Sequence, residues 1–359
     1  MINTKKYFTD SLLWWNKKDN KREMPWKGEK DPYKIWLSEI ILQQTRVEQG
    51  WDYYNRFVGT FPNIGQLAKA PETKIFKLWE GLGYYTRCKN LITTAKTIAK
   101  IYKGRFPEQY DEILALKGIG PYTAAAIASF AFNQPYAVVD GNVFRVLSRF
   151  FGMRQPVDST AGKKLFTDLA NELLDNKLPG IYNQALMDFG AVICKPKQPL
   201  CNTCPLKSKC VAYLNNIVNE LPVKEKNIFR KNRWLYFLIA EYNGKVYVRK
   251  RGPKDIWENL YEFIREESTQ AIPSDLIAGL VPFKKMLGNN KVEIIAVSKD
   301  FRQKLTHQTI HGQFIHVRIK KPLKADGYSI VDAKQLRKLP FPKLLATYLA
   351  ENREMAFER

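Results

Sequence analysis

Leu116-Lys117-Gly118-Ile119-Gly120-Pro121-Tyr122-Thr123-Ala124 joins two helical segments of the chain. Its glycines permit positive φ and a close approach of backbone to a ligand. Amides at the N-terminus of the following helix can hold a phosphate. Alone, such a turn is equally well a packing joint between two helices. Twenty residues on comes Val138-Val139-Asp140-Gly141-Asn142-Val143, with a helix expected from Val143. The combination is far more specific than either part.

Outward from this stretch, residues 1–214 read as mostly helical. Apolar residues recur at helical spacing in 33–47, 73–83, 88–102, 121–132 and 142–151. Phe61-Pro62, Ala70-Pro71, Phe106-Pro107 and Pro179-Gly180 punctuate the joins. Residues 215–232 are polar and basic and read as a linker. From 233 to 359 the pattern changes. Trp234–Ile239 and Lys245–Val248 flank Asn243-Gly244, a hairpin signature. Val292–Val297 and Phe314–Ile319 are further strand candidates, and Asp332–Leu339 and Leu344–Glu351 are helix candidates. The fold class expected is a multidomain chain, a mostly α-helical domain followed by an α+β domain.

The chain has 359 residues with 58 Lys+Arg against 35 Asp+Glu, a net charge of +23. Residues 1–220 contribute +11 and residues 221–359 contribute +12. Both halves are basic, so a polyanion such as nucleic acid is the leading partner. No apolar run reaches membrane-spanning length, so no membrane partner is expected. Met1–Lys6 leads into no apolar run, so no secretory signal is expected either, and an intracellular location, cytoplasmic or nucleoid-associated, is expected.

Four of five cysteines crowd together as Cys194, Cys201, Cys204 and Cys210, in the spacing C-x6-C-x2-C-x5-C. Such crowding suits metal binding in a reducing compartment. Four thiolates enclose either one 4Fe-4S cluster or one zinc. Zinc ribbons usually offer two C-x2-C pairs, and here there is one. Lys195, Lys197, Lys207 and Lys209 surround the ligands and offset thiolate charge. Cys88 stands apart and reads as a small core residue.

Two carboxylates sit in unlike settings. Glu39 has Ile35, Trp36, Leu42 and Gln43 as helical neighbours, and desolvation there raises a carboxyl pKa. Asp140 precedes a helix, whose N-terminus favours the ionised form. Cleavage of a glycosidic bond uses such a pair, one carboxyl as acid and one as charge stabiliser. Spacing alone also fits a partly exposed helix glutamate and an ordinary N-cap aspartate, and for Asp140 it favours the plain cap.

The cysteine spacing is that of the iron–sulfur loop of the endonuclease III superfamily, and residues 112–132 resemble its helix-hairpin-helix. Met24-Pro25-Trp26-Lys27, Asp31-Pro32-Tyr33, Ser38–Val47 with its Leu42-Gln43-Gln44-Thr45 run, Gly81-Leu82-Gly83-Tyr84-Tyr85, Gly118–Ala126 and Val139–Asn142 together resemble the MutY-type adenine DNA glycosylases. These motifs span roughly residues 24–210.

That resemblance implies a DNA repair hydrolase that flips out and removes adenine mispaired with 8-oxoguanine, or with guanine, in double-stranded DNA. It implies a 4Fe-4S cluster on Cys194, Cys201, Cys204 and Cys210, and a protein acting as a monomer. Glu39 would protonate adenine at N7 and help activate water. Asp140 would stabilise the sugar cation, and Tyr122 and Asn142 would position the carboxylates and the sugar. Trp26, Lys27 and Leu42 would form the adenine pocket. Gln44 and Tyr84 would wedge into the gap, Thr45 and Leu82 would touch the lesion side, and Gly118 and Gly120 would lie on phosphate. Bifunctional lyases of the superfamily carry a lysine where this chain has Tyr122. A tyrosine forms no Schiff base, so a monofunctional reaction with water is expected.

The same family ends in a domain similar to the NUDIX hydrolases. Arg249-Lys250-Arg251-Gly252, Ile256-Trp257 and Leu260–Phe263 match the strand before the NUDIX box, but the box glutamates are not visible after Phe263. Lesion recognition rather than pyrophosphate hydrolysis is expected there. Leu305-Thr306-His307 resembles the lesion-reading loop, with Thr306 and His307 as its polar contacts. Lys27 stands where arginine is usual, Ala125 where glycine is common, and Leu305-Thr306 where Phe-Ser is usual. Two competing readings are an endonuclease III-like lyase for oxidised pyrimidines and a non-enzymatic iron–sulfur DNA-binding protein.

Overall fold

Apolar stripes broken by Pro and Gly make the first part of the chain helical. The computed structural model describes residues 2–225, 230–277 and 279–352. The helices are α1 (Ile2–Lys18), α2 (Pro32–Leu42), α3 (Val47–Thr60), α4 (Ile64–Lys69), α5 (Glu72–Trp79), α6 (Tyr85–Ile101), α7 (Tyr110–Leu114), α8 (Pro121–Phe132), α9 (Gly141–Phe151), α10 (Thr160–Leu173), α11 (Pro179–Val192) and α12 (Val211–Leu214). Two boundaries differ from the expected ones for a local reason. The helix expected to reach 47 stops at Leu42, because Gln44 takes φ +56°. The one expected to reach 83 stops at Trp79, because Gly81, Gly83 and Tyr84 all take positive φ. Helix α9 begins at Gly141, two residues earlier than expected, because Asp140 caps it.

The chain forms two compact units, one of Met1–Lys69 with Asn90–Asn227, the other of Ala70–Lys89 with Ile228–Arg359. In the first, Phe8, Leu12 and Trp15 of α1 pack on Val146, Leu147 and Phe150 of α9, Phe166 of α10 and Phe189 of α11. Each such side chain withdraws surface worth about 1.5–3 kcal/mol. Cys194, Cys204 and Cys210 border this core, and Cys88 is fully buried. Gly190 lets α11 lie against the start of α9, since a Cβ there would stand 2.6 Å from Asn142 Cβ. The expected linker 215–232 is not a free tether over 215–225. Val157 N–H donates to Val223 O at 3.1 Å and Glu225 N–H to Asp158 Oδ1 at 2.9 Å. Its residues 226–229 lie outside the described residues, and Lys231 already opens a strand.

The second unit holds β1 (Lys231–Tyr242), β2 (Lys245–Lys250), β3 (Tyr261–Glu262), β4 (Ile264–Ser268), α13 (Ser274–Ile277), α14 (Val281–Leu287), β5 (Val292–Val297), β6 (Phe301–Lys304), β7 (Gln308–Ile319), β8 (Ser329–Val331), α15 (Ala333–Leu336) and α16 (Lys343–Glu351). Among the described residues these strands form one eight-stranded sheet with the central path β3-β2-β1-β7-β5. Asn243 and Gly244 take φ +50° and +67°, the turn the hairpin needs. Strands β1 and β7 run parallel, with Phe237 opposite Phe314. Tyr236, Leu238 and Ala240 pack with Ile277, Phe283 and Leu287 on one face. On the other, Phe237 stacks on Phe314 at 5.1 Å and Phe314 on Tyr348 of α16 at 3.9 Å.

Residues 70–89 depart from the expected division at 214. They group with the sheet unit because Lys77, Glu80 and Tyr85 bond to the backbone of Leu339 and Phe341.

Candidate active site

Helix α2 is apolar on nearly every side, and Glu39 lies within it at 5% exposure. Burial pushes its carboxyl up to about 7; a hydrogen bond from Tyr122 lowers it and the nearby Asp140 charge raises it. The Tyr122 hydroxyl is held far above its ordinary pKa by burial and by the Glu39 and Asp140 charges, so it remains a donor. Tyr122 stands in the first turn of α8, and Gln43 Nε2 reaches Thr123 Oγ1 at 3.3 Å, tying α2 to α8.

Asp140 is the N-cap of α9. Its Oδ1 accepts from Asn142 N and Val143 N, both at 2.8 Å, and its Oδ2 accepts from Asn142 Nδ2 at 2.6 Å. The helix start was expected to favour the ionised form. Burial outweighs it: the pKa is raised, although Val143 N, both Asn142 donors and the Arg145 charge pull it down. Asn142 Oδ1 in turn accepts from Arg145 Nη2 at 2.8 Å. Arg145 also donates to Gly190 O and Cys194 O, both at 2.7 Å. Glu39, Tyr122, Asp140 and Asn142 are therefore one constellation, carried by α2, α8 and α9.

A cavity of about 180 Å³ opens beside Glu39, with room for several waters or one heterocyclic base. Trp26, Lys27, Ser38, Phe130, Ile181 and Gln184 are among its walls. Leu42, expected there, is not among the lining residues; it packs where Gly50 leaves room on α3. Two residues that sequence reasoning missed shape this cavity. Gln184 Nε2 donates to Asp188 Oδ1 at 2.8 Å, and the fully buried Asp188 pairs with Arg22 at 2.8 Å and with Lys27 at 3.0 Å. Lys27 Nζ also donates to Arg22 O at 2.7 Å. The available signal was Gln184 and Asp188 at i,i+4 in a mostly apolar helix.

The turn before α8 is shaped for close approach. Gly118 has φ +79°, and a Cβ there would stand 2.6 Å from Asn90 Cβ. Gly120 precedes α8 with no side chain capping its first amides.

Cys194, Cys201, Cys204 and Cys210 line one cavity together with Arg149 and Lys207. Among the described residues no three His, Cys, Asp or Glu converge closely enough to hold a single metal ion. Arg149, 3% exposed, donates to the carbonyls of Val218, Leu221, Lys195 and Pro196 and to Cys194 Sγ at 3.5 Å. A buried guanidinium beside four thiols suits an anionic thiolate-bound group.

Gln44 is exposed at its positive φ, and Thr45 N–H donates to Leu42 O at 3.0 Å. In the sheet unit, Tyr84 is 45% exposed while Leu82, expected at the lesion side, is buried at 6%. Leu305–His307 forms the tip between β6 and β7, closed by Leu305 N–H to Gln308 O at 2.7 Å. Thr306 Oγ1 lies 2.8 Å from Tyr84 Oη, and His307 is exposed.

Residues 37–171 match the HhH-GPD superfamily of base excision DNA repair proteins, and residues 235–351 match the NUDIX domain. The chain is 37% identical to the adenine DNA glycosylase of Buchnera aphidicola subsp. Baizongia pistaciae over 319 residues, covering 88% of this chain and 87% of the relative. It is 39% identical to that of Homo sapiens over 214 residues, covering 57% of this chain and 39% of the relative. Among solved structures, a thermostable thymine-DNA glycosylase is similar at TM-score 0.55 and 31% identity, over 59% of this chain and 98% of that one. A non-covalent endonuclease III–DNA complex, at TM-score 0.51 and 21% identity over 59% of this chain and 96% of that one, shares the fold.

Proposed function

The chain belongs to the adenine DNA glycosylases of base-excision repair, and on that premise we propose that it removes adenine paired with 8-oxoguanine or guanine, by a monofunctional reaction with water. One observation carries this: a carboxyl with a pKa of about 7 in the wall of a base-sized cavity, with a second carboxyl electrostatically coupled to it. Glu39 as the acid donates its proton to adenine N7 while the C1′–N9 bond breaks and the electron pair leaves with the base. Asp140 stabilises the positive sugar that remains. Glu39, now a carboxylate, takes a proton from the water that adds to C1′, which restores the acid. Tyr122 holds the Glu39 carboxyl by its hydrogen bond, and Asn142 holds Asp140 by two.

Trp26, Lys27 and Gln184 contain the extruded adenine, a position that makes its reacting atoms accessible. Gln44 and Tyr84 take the place of the base in the stack. Thr306 and His307 read the base opposite. Backbone amides beyond Gly118 and Gly120 hold a phosphate, which the +23 charge favours overall. Cys194, Cys201, Cys204 and Cys210 would hold a 4Fe-4S cluster; four thiols lining one cavity beside the Arg149 guanidinium support this reading. When bound, such a cluster would tie the 194–210 loop together. The protein acts as a monomer.

Single-turnover adenine release tests this, with adenine opposite 8-oxoguanine, guanine or thymine. Release opposite 8-oxoguanine that falls by about 10³-fold in Glu39→Gln is expected. No release from any duplex, or efficient covalent capture by borohydride, would overturn the reading. Purified protein should contain iron and sulfide and absorb visible light; colourless protein with stoichiometric zinc would contradict the cluster.

A further inference from the structure

The turn Glu80-Gly81-Leu82-Gly83-Tyr84 joins α5 to α6 and holds one aromatic ring out to solvent. Tyr84 has φ +47°, a left-handed setting that a tyrosine adopts only under constraint. The constraint comes from one buried residue. Phe341 N–H donates to Glu80 Oε1 at 2.7 Å, ahead of the turn. Tyr85 Oη, behind the turn, accepts from Gly81 N at 3.3 Å and donates to Phe341 O at 3.4 Å. Both flanks are thus fastened to the two backbone groups of the same residue. Lys77 locks the arrangement, pairing with Glu80 Oε2 at 2.6 Å and donating to Leu339 O at 3.0 Å.

The anchor is rigid. Phe341 is 1% exposed and stacks on Phe263 at 5.6 Å, and Pro340 O accepts from Tyr261 N at 2.8 Å. The turn is also braced inside itself. Trp79 Nε1 donates to Gly83 O at 3.0 Å, and the Arg87 guanidinium lies 5.2 Å from the Trp79 ring and 5.5 Å from the Tyr84 ring. The same ring reaches Thr306 through its hydroxyl.

We propose that Glu80, with Tyr85 behind it, is a positioning residue that makes the Tyr84 ring and the Leu305–His307 tip a single reader of the opposite base. This rests on the adenine-removal reading above. An aromatic ring stacks on any base. Selectivity then comes from where the Thr306 hydroxyl stands relative to that ring. A clamp that fixes one against the other sets selectivity more than rate.

The test uses the full chain and the ratio of single-turnover adenine release opposite 8-oxoguanine to that opposite guanine. Glu80→Ala lowers the ratio by about tenfold, while Glu80→Gln, which keeps an acceptor for Phe341 N–H, holds it within a factor of about three. An unchanged ratio in Glu80→Ala overturns the proposal, as do two rates that fall by the same factor, the sign of a merely structural role. Where Glu80→Ala fails to fold, Tyr85→Phe removes one hydroxyl and should lower the ratio by about threefold; an unchanged ratio there overturns it equally. If wild-type protein releases no adenine from either duplex, the adenine-removal reading itself fails, and the proposal falls with it.

Discussion

Glu39 and Asp140 are buried, and both carboxyls are pushed above their ordinary pKa by burial. Tyr84 and His307 are exposed, and both stand at turns of the sheet unit. The contrast matches what each region would do under the proposed function. A group that moves a proton at neutral pH needs water excluded, because desolvation is what shifts it. A group that reads a base still held in a duplex has to project, and gains precision from the backbone beneath it.

The largest expected effect lies on the buried side. Asp140→Ala should cut the rate by about 10³-fold and remove a helix cap worth about 1 kcal/mol. Asp140→Asn keeps the cap oxygen, though its amide nitrogen would face Asn142 Nδ2, and should lose nearly as much rate, measured by excision and urea melts. Equal rates for Asp140→Asn and wild type would break the comparison.

Next comes pH. If Glu39 is the proposed acid, excision should fall as pH rises through about 7. Stability has the same sign. The folded pKa lies above the unfolded value of 4.5, so the folded state holds the extra proton between them. Stability is then full below about 4.5 and falls as pH rises toward 7, by about 3 kcal/mol in all. Melting curves of Glu39→Gln should lack that slope and show a more stable protein at pH 8.

The smallest effect belongs to the exposed side. Thr306→Val should leave excision opposite guanine unchanged and lower the preference for 8-oxoguanine by about threefold to tenfold. A fall in both rates would mean that Thr306 supports chemistry rather than reading.

Local signals were legible in the sequence. Asn243-Gly244 specified its hairpin, helix α8 spans the expected 121–132, and the apolar neighbours of Glu39 announced a desolvated carboxyl. What was not legible is non-local. Nothing near residues 70–89 says that Phe341, some 250 positions on, will hold them. Parallel pairing of β1 with β7 needs a partner about 75 residues away. Asp140 reads as a helix-start aspartate until the packing that buries it is known. Asp188 looks like one of a few polar residues in a mostly apolar helix until Lys27 and Arg22 arrive from the other end of the unit.

Gly190 shows where such a fold is fragile. It lies on α11, and a Cβ there would meet Asn142 Cβ at 2.6 Å and Asn142 O at 3.0 Å. One added methyl group would therefore push on the residue that holds Asp140. A map of harmful inherited changes drawn only from groups that could touch DNA would mark position 190 as silent, yet a substitution as small as alanine there should behave like an active-site lesion.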